Sequence, residues 1–269
     1  MVDGKRRFVV ACGGTGGHSF PGLAVAKELL SRGHEVTVWM SGRSVESSVL
    51  KGWEGEVFAT GAKQLSLRGM FANLRALFKC RKELKRNPPE ALLAMGSYSS
   101  VAPVLAAAVR GVPVVLHEAN TVPGRAVDFL SAFARKVAIS FTKTAEHFSD
   151  SETVLTGLPI RPEVAGGRPF DDVPMEDFKV FVTGGSQGAH RVNEIAIKAL
   201  PILKNELSKR GRRLFVIHQT GVKDEPMVAK AYSESGISAQ VKAFEHEMGR
   251  AIASADIVIA RAGASTIRS

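Results

Sequence analysis

Residues 7–21, RFVVACGGTGGHSFP, decide how the first half of this chain folds. Residues 8–12 form a short apolar run with two β-branched valines, which predicts a buried strand. A loop that is mostly glycine follows, and apolar side chains then recur at helical spacing from residue 20 to residue 30. A strand, a glycine loop and a helix in this order place backbone N–H groups and a helix N-terminus against a phosphate. A tight turn without a ligand is the alternative, because a glycine loop alone is weak evidence.

The histidine of this stretch is a candidate catalytic residue. His18 stands at the loop exit, immediately after two glycines. An imidazole gains and loses a proton near neutral pH, so a histidine here suits general acid–base catalysis. The loop and the histidine together favour a catalytic phosphate-binding site over a simple turn.

The composition narrows the class of protein. The chain has 269 residues, which predicts two domains, and 45% of them are hydrophobic. Lys and Arg number 36 against 26 Asp and Glu, a net charge of +10, which indicates phosphates, an anionic membrane surface or nucleic acid as partners. The two cysteines, Cys12 and Cys80, form no disulfide framework and indicate a reducing compartment. No signal peptide or run of roughly 18 apolar residues is present, so we expect a cytoplasmic protein.

The order of predicted elements indicates two domains of one class. Strands and helices alternate along the chain, which predicts parallel, doubly wound α/β sheets. The pattern lapses at residues 159–177, a stretch rich in proline, glycine and acidic residues that we interpret as a linker. The opening motif then recurs, with a strand at residues 178–183, a second glycine loop GGSQGA at residues 184–189, and a long helix. We therefore predict two Rossmann-like domains, at residues 1–158 and 178–269.

Two further loops carry polar side chains at the ends of predicted strands. The strand at residues 91–95 leads into a glycine- and serine-rich loop, and the strand at residues 112–116 leads into His117, Glu118 and Asn120. Open α/β sheets bind ligands at the carboxyl ends of their strands, so both loops are candidate binding sites. For Glu118 and Asn120, helix capping or turn formation is the alternative.

Residues 63–86 differ in kind from the rest of the chain. Eight of them are Lys or Arg and one is Glu, with leucines, phenylalanines and a methionine among them. One interpretation is an ordinary surface helix with its apolar side inward and its charges outward. The other is a basic, apolar surface that rests on anionic lipid. The sequence does not decide between the two.

Seven motifs, GGTGGH, GSYSS, HEAN, GLPIR, GGSQGA, HQTG and RAGAST, occur in this order and resemble those of the bacterial MurG family. The resemblance implies a two-domain GT-B fold, with two Rossmann-like domains facing a cleft. It implies an inverting, metal-independent hexosyltransferase of peptidoglycan biosynthesis. Such an enzyme moves N-acetylglucosamine from UDP-N-acetylglucosamine to the muramyl sugar of the undecaprenyl-diphosphate-linked pentapeptide precursor, lipid I to lipid II. It also implies peripheral attachment to the anionic cytoplasmic face of the inner membrane, with no cofactor, no tightly bound metal and no nucleic acid partner.

The resemblance assigns roles to single residues of this chain. His18 and Glu118 fall on catalytic positions, His18 as the base or an essential polar contact. Donor binding falls to loop residues of both domains: Thr15, Gly16, Gly17, Asn120, Arg161, Gly185, Ser186, Gln187, Gly188, Phe244, Glu245, Ala264, Ser265 and Thr266. The acceptor diphosphate would lie against two loops of the first domain: Gly13, Gly14, Gly96, Ser97 and Tyr98. The membrane surface would comprise Arg68, Phe71, Leu74, Arg75, Phe78, Lys79 and Lys82.

The chain departs from the family pattern at several positions. Ser97 stands for a glycine, Ala119 for a glutamine and Leu158 for an asparagine. Glu245 stands for an aliphatic residue that offers its backbone to the uracil. After RAGAST the family continues with a Ser-Glu pair whose glutamate binds the ribose hydroxyls, whereas this chain ends with residues 267–269. We therefore expect an incomplete second domain and donor pocket, and no turnover by the chain as written.

Three other functions fit parts of the sequence. Another GT-B sugar transferase would share the fold, but GGTGGH and HEAN count against it. A dinucleotide-dependent oxidoreductase requires G-x-G-x-x-G with an acidic residue about 20 positions further on, for which Glu35 is a weak substitute. A donor-incomplete fragment would bind a lipid diphosphate without transferring a sugar.

Overall fold

The computed structural model describes residues 4–14, 16–43, 46, 49–50, 52–63, 67–160, 164, 166–185 and 188–263. The chain divides into two compact units, Met1–Arg161 and Pro162–Ser269. Within the described ranges, no helix is both long and apolar enough to cross a membrane.

The first unit is built on a seven-stranded sheet whose paired strands all run parallel. In chain order the strands are β1 (Arg7–Ala11), β2 (Glu35–Met40), β3 (Glu56–Ala59), β4 (Ala91–Ala94), β5 (Val114–Glu118), β6 (Lys136–Ile139) and β7 (Thr153–Leu155). They lie side by side in the order β3-β2-β1-β4-β5-β6-β7. The strand order reverses between β1 and β4, and open α/β sheets bind ligands at such a switch point.

Helices cover both faces of this sheet. The α-helices are Gly16–Ser31, Leu67–Arg86, Val101–Val109 and Arg125–Ser131, and two 3-10 helices are Tyr98–Ser100 and Thr142–His147. Side chains from residue 9 to residue 12 point alternately to the two faces. Val9 and Ala11 belong to the core under helix Leu67–Arg86, whereas Val10 and Cys12 belong to the core under helix Gly16–Ser31. The alternation buries both faces, which makes the unit doubly wound.

The second unit holds a four-stranded parallel sheet. Its strands are β8 (Phe178–Thr183), β9 (Leu214–Gln219), β10 (Ser238–Lys242) and β11 (Ile257–Ala260), in the order β10-β9-β8-β11. One face packs against helices His190–Lys209 and Glu225–Glu234, and the other packs against helix Met248–Ser254. The prediction of parallel, doubly wound α/β sheets is confirmed.

Residues 166–177 differ from the free linker that their composition suggests. Phe170 and Val173 are buried in the core of the second unit together with Ala251. The Arg250 guanidinium lies 4.8 Å from the centre of the Phe170 ring and pairs with Asp171 at 2.8 Å. Two single apolar residues among prolines, glycines and acids carry no helix or strand period, so the sequence pattern does not reveal this packing.

Candidate functional site

Three motif loops of the first unit meet at one edge of its sheet. Because β1, β4 and β5 are adjacent and parallel, the loops that follow them share the carboxyl edge. A side-chain carbon placed on Gly96 would lie 3.6 Å from His18 Cδ2 and 3.6 Å from the His117 carbonyl oxygen. The glycine loop with His18, the loop at residues 96–100 and the end of β5 are therefore in contact.

The glycine loop after β1 is held through the peptide that joins Gly13 to Gly14. The Gly14 N–H donates to Glu46 Oε1 at 2.8 Å. The Gly13 carbonyl oxygen accepts from Ser97 Oγ at 3.0 Å and from Ser99 Oγ. The Gly14 N–H, expected to face the acceptor diphosphate, is thus already engaged within the protein.

Glu46 organises one side of this loop and was not among the residues singled out from the sequence. It is 2% exposed. Its carboxylate accepts hydrogen bonds from the N–H groups of Gly14, Gly42 and Arg43 and from the Ser41 hydroxyl. Burial alone would raise the pKa of Glu46, but these hydrogen bonds outweigh it and bring the pKa below its ordinary value. No motif marks this residue in the sequence.

Ser97 adopts a backbone conformation that favours glycine. Its φ is 66° and its ψ is 167°, and in the described part of the chain no other non-glycine residue has a positive φ. A glycine would adopt this conformation without the strain that Ser97 carries. The Ser97 hydroxyl accepts from the Ser99 N–H at 3.2 Å and bonds to the glycine loop. Next to it, the Tyr98 hydroxyl accepts from Arg43 Nη1 at 3.2 Å.

His18 lies in the first turn of helix Gly16–Ser31, directly after Gly16 and Gly17. Burial lowers the pKa of His18 below its ordinary 6.5, and the negative charge of Glu118 partly opposes this shift. A histidine whose pKa is lowered is unprotonated at neutral pH and has a nitrogen lone pair that accepts a proton. The environment of His18 therefore suits a general base.

Glu118 is 3% exposed and uses both carboxylate oxygens to build the turn after β5. Oε1 accepts from the Asn120 backbone N–H at 2.8 Å and from Asn120 Nδ2 at 2.9 Å. Oε2 accepts from the Gly124 N–H at 3.0 Å, and Thr144 Oγ1 donates to the Asn120 carbonyl oxygen at 3.0 Å. These contacts provide the turn-forming role that the sequence left open as an alternative. Glu118 acts on His18 through its charge.

His117 is a second histidine at this edge and is buried, with no role assigned to it from the sequence. Its Nε2 lies 3.2 Å from the Gly157 carbonyl oxygen and 3.4 Å from Ser140 Oγ. Burial lowers the pKa of His117, although the Gly157 hydrogen bond and the Glu118 charge oppose the shift. The neutral ring ties the end of β5 to the segment after β7.

The glycine loop of the second unit is packed against the end of β9. A side-chain carbon on Gly188 would lie 2.1 Å from the Thr220 carbonyl oxygen, so only glycine fits. The Gly185 carbonyl oxygen accepts from Gln219 Nε2 at 2.6 Å and from the Gly188 N–H at 2.9 Å. The Gly185 N–H donates to Thr183 Oγ1 at 3.1 Å. The N–H groups of Gly185 and Gly188 therefore donate hydrogen bonds within the loop and to the end of the strand before it.

Gln219 joins this loop to the segment expected to hold the uracil. Its Oε1 accepts from the Glu245 N–H at 3.0 Å. The Glu245 carboxylate is buried, pairs with Lys242 Nζ at 2.8 Å and accepts from the Glu247 N–H at 2.8 Å. The negative charge of Glu245, which departs from the family pattern, is thus paired with the nearby positive charge of Lys242. The HQTG motif was the sequence signal for Gln219.

Several residues expected at the donor site lie outside the described ranges: Thr15, Arg161, Ser186, Gln187, Ala264, Ser265 and Thr266. Phe244 is described and half-buried, with its ring edge-on to His246 at 4.9 Å between centres. Across the described ranges, no group of three or more His, Cys, Asp and Glu side chains is placed to hold a metal ion.

Helix Leu67–Arg86 carries two apolar stripes. One stripe is buried in the core of the first unit: Ala76, Cys80 and Leu84. The other stripe is exposed and consists of Phe71 (72% exposed), Leu74 (50%) and Phe78 (59%). The helix therefore exposes a second apolar stripe among basic side chains, in addition to the buried stripe that an ordinary surface helix has.

The cations beside this exposed stripe differ in their contacts. Arg75 and Lys82 are exposed. Lys79, which we expected to face the membrane, donates from Nζ to the Ala59 carbonyl oxygen and lies 4.9 Å from the centre of the Phe58 ring. It therefore ties the helix to β3. Arg68 belongs to the helix, but its side chain lies outside the described residues.

Two parallel α/β units, each with a glycine loop after its first strand, are the architecture of the GT-B glycosyltransferases. The calicheamicin glycosyltransferase CalG4 matches this chain with a TM-score of 0.67 at 17% identity, over 99% of this chain and 76% of its own. The crystal structure of MurG from Acinetobacter baumannii matches with a TM-score of 0.71 at 29% identity, over 97% of this chain and 75% of its own. The fold is therefore GT-B, an architecture that the structurally similar UDP-N-acetylglucosamine 2-epimerases share.

Sequence comparison narrows the class to a family. The N-terminal domain of glycosyltransferase family 28 matches residues 8–139, and the C-terminal domain of that family matches residues 179–268. The UDP-N-acetylglucosamine–N-acetylmuramyl-(pentapeptide) pyrophosphoryl-undecaprenol N-acetylglucosamine transferase of Geotalea uraniireducens is 38% identical, over 97% of this chain and 74% of its own. The chain belongs to glycosyltransferase family 28, in its MurG branch.

Proposed function

We propose that this protein transfers N-acetylglucosamine from UDP-N-acetylglucosamine to the muramyl sugar of the undecaprenyl-diphosphate-linked pentapeptide, converting lipid I to lipid II. The observation that carries the proposal is the 38% identity to the Geotalea uraniireducens transferase, which extends over 97% of the chain and so over both units. The half-buried histidine with a lowered pKa at the exit of the first glycine loop supports it. Formation of a labelled disaccharide lipid from labelled UDP-N-acetylglucosamine tests it.

His18 is the proposed base of this reaction. The acceptor hydroxyl oxygen attacks the anomeric carbon of the donor sugar from the side opposite UDP, which inverts the configuration. The new carbon–oxygen bond forms as the bond to the UDP oxygen breaks, and UDP leaves with the electron pair. The acceptor proton passes to His18, whose lowered pKa leaves it unprotonated at neutral pH. General-base assistance of this kind contributes about 10²- to 10⁴-fold.

The second unit is the proposed site of the nucleotide. Helix His190–Lys209 begins directly after the glycine loop, and the positive end of its dipole stabilises a leaving diphosphate. Gln219 holds Gly185 and the Glu245 backbone in fixed positions at the carboxyl edge of the sheet. A preorganised edge of this kind favours the charge that develops on UDP.

The first unit is the proposed site of the lipid acceptor. Gly96 lies beside His18 in the first turn of helix Gly16–Ser31, Ser97 bonds to the glycine loop before that turn, and Tyr98 follows them; the acceptor diphosphate would bind at these loops. The exposed stripe of Phe71 and its neighbours would rest on the anionic cytoplasmic face of the plasma membrane, which holds the undecaprenyl chain. Each cation near such a surface contributes about 1 kcal/mol of binding.

A further inference from the structure

The peptide unit between Gly13 and Gly14 is bonded by side chains on both of its sides. Glu46 accepts from the Gly14 N–H at 2.8 Å, while Ser97 at 3.0 Å and Ser99 donate to the Gly13 carbonyl oxygen. The sheet order explains this arrangement. β2 and β4 pair with β1 on its two sides, so Glu46, which follows β2, and the serines, which follow β4, approach the loop after β1 from opposite directions.

The Glu46 side of this arrangement is a buried carboxylate with a full set of donors. Besides Gly14, it accepts from the N–H groups of Gly42 at 2.8 Å and Arg43 at 3.1 Å, and from the Ser41 hydroxyl. A side-chain carbon on Gly13 would lie 3.1 Å from Glu46 Oε1, so the loop and the carboxylate are in van der Waals contact. A negative charge at this place repels a second anion. The Gly14 N–H is therefore reserved for holding the loop and not for a diphosphate.

The serine side of this arrangement depends on an unusual backbone. Ser97, at a φ of 66°, points its hydroxyl at the Gly13 carbonyl oxygen, and its Oγ lies 2.7 Å from Ser99 Oγ. A carbonyl oxygen has two lone pairs, so it accepts both serine hydroxyls. A glycine at position 97 would relax the backbone but would leave the loop with one of these donors fewer.

The clamped peptide lies just before the helix that carries His18. Gly14 is two residues from Gly16, where the helix begins. Ser19 Oγ donates to the Cys12 carbonyl oxygen at 2.7 Å, which ties the first helical turn back to the end of β1. With both flanks fixed, the orientation of the Gly13–Gly14 peptide sets the position of the first turn and of its imidazole.

We propose that Glu46, Ser97 and Ser99 are positioning residues that clamp the Gly13–Gly14 peptide and thereby hold His18 in place for proton transfer. The clamp itself follows from these hydrogen bonds alone. Its effect on transfer rests on the proposed function, in which His18 is the base.

The test compares two clamp variants with one control. Glu46→Gln replaces one carboxylate oxygen by an NH₂ group of nearly the same volume. This group cannot accept a hydrogen bond from a backbone N–H, and the negative charge is lost as well. Ser97→Gly combined with Ser99→Ala removes both hydroxyls and relieves the backbone at position 97, so this variant keeps the test valid if Glu46→Gln folds poorly. Glu28→Gln is the matched control. Glu28 is exposed on helix Gly16–Ser31, the helix that carries His18, and it pairs with Arg32 and not with the glycine loop.

Two measurements test separately whether the clamp holds the Gly13–Gly14 peptide and whether it affects the transfer rate. Amide hydrogen exchange at Gly14, followed by NMR, should accelerate about tenfold or more in Glu46→Gln, since a hydrogen bond to a charged group is lost. In the full-length protein, kcat for transfer should fall about 10- to 100-fold in both clamp variants, as for a base displaced by an ångström or less. KM for UDP-N-acetylglucosamine should change much less than kcat, because the proposed nucleotide site lies in the other unit.

Each outcome decides one part of the proposal. Gly14 exchange that is unchanged in Glu46→Gln overturns the clamp. Faster exchange with wild-type kcat overturns the positioning role, and so does an equal fall of kcat in Glu28→Gln. A wild-type protein without transfer activity would reject the proposed function, while the Gly14 exchange rates would still decide the clamp.

Discussion

Half-buried His18 and buried Glu118 have different roles at this edge of the sheet. Burial lowers the pKa of His18, so the ring accepts a proton at neutral pH. The oxygens of Glu118 are bonded to Asn120 and Gly124, so this carboxylate shapes a turn, and its charge also acts on His18. The lowered pKa of His18 therefore fits its proposed role as proton acceptor in the transfer step.

Replacing His18 by alanine is expected to lower kcat of the full-length protein by at least about 10², the smaller end for a lost general acid–base group. The loop and the first helical turn are held by contacts of Gly14 and Ser19 that do not involve the imidazole. Circular dichroism and thermal unfolding should therefore match the wild type. Near-normal turnover by the folded variant would assign His18 to structure.

The buried histidine His218 should make the stability of the second unit depend on pH. Its Nδ1 lies 2.8 Å from the Tyr232 hydroxyl and its Nε2 lies 3.0 Å from Asn193 Oδ1, and burial lowers the pKa of His218 to about 4. The unfolded chain binds this proton near the ordinary histidine value of about 6.5. The unfolded state therefore gains protons first as the pH falls. The stabilisation from neutral His218 is present above about pH 6.5 and is lost between about pH 6.5 and 4.

The size of this loss is about 3 kcal/mol, because the pKa of His218 is about 4 in the folded state and about 6.5 in the unfolded state. Calorimetry of the wild type and of His218→Gln at several pH values measures it. The variant is expected to be less stable at neutral pH, but the second unit should lose about 3 kcal/mol less than in the wild type on acidification. Equal slopes for the two proteins over this range would contradict the buried, neutral state of His218.

Local patterns and distant contacts differ in what the sequence reveals. The two glycine loops and His18 could be predicted because strand, loop and helix are contiguous and each has a local signature. Glu46 and Gln219 could not be assigned roles, because their partners Gly14 and Gly185 lie 32 and 34 residues away. Those contacts depend on which strands become neighbours in the sheet.

For helices too, the sequence predicts what depends on a local pattern and misses what depends on packing. Helix Leu67–Arg86 could be predicted from its long periodic pattern, but both of its stripes are apolar, so only packing reveals which one is exposed. Helix Arg125–Ser131 was not predicted, because only Val127 and Leu130 of its seven residues are buried. Two buried residues are too few to define a helical period.

The exposed stripe of helix Leu67–Arg86 predicts binding to anionic membranes. Arg75→Glu combined with Lys82→Glu should reduce co-sedimentation with phosphatidylglycerol vesicles at physiological salt by about tenfold or more, since each lost cation removes about 1 kcal/mol. Lys198→Glu combined with Lys230→Glu is the matched control. Both of these lysines are exposed on helices of the second unit, and the change in charge is the same.

The apolar part of this surface needs its own variant. Phe71→Ser combined with Phe78→Ser should also release the protein from the vesicles, because neither side chain belongs to the core. Unchanged sedimentation of both the charge variant and the phenylalanine variant would show that this face does not bind lipid.

The whole molecule has two units with separate cores, and residues 166–177 belong energetically to the second. Phe170→Ala is expected to destabilise that unit by about 3 kcal/mol, the lower end for removing a buried phenylalanine. The first unit should keep its stability. Phe148→Ala is the reciprocal control, because Phe148 is buried in the core of the first unit. Calorimetry resolves the two effects, and an equal shift of both transitions by Phe170→Ala would contradict separate cores.

The measurement that bears most directly on the function follows labelled N-acetylglucosamine from UDP-N-acetylglucosamine. The full-length protein is incubated with this donor and with undecaprenyl-diphosphate-linked muramyl pentapeptide in detergent micelles. Label should enter the lipid fraction as one N-acetylglucosamine per UDP released, only when the acceptor is present, and about 10² more slowly with His18→Ala. A lipid fraction without label above the acceptor-free blank, or release of UDP with free N-acetylhexosamine as the product, would contradict the assignment.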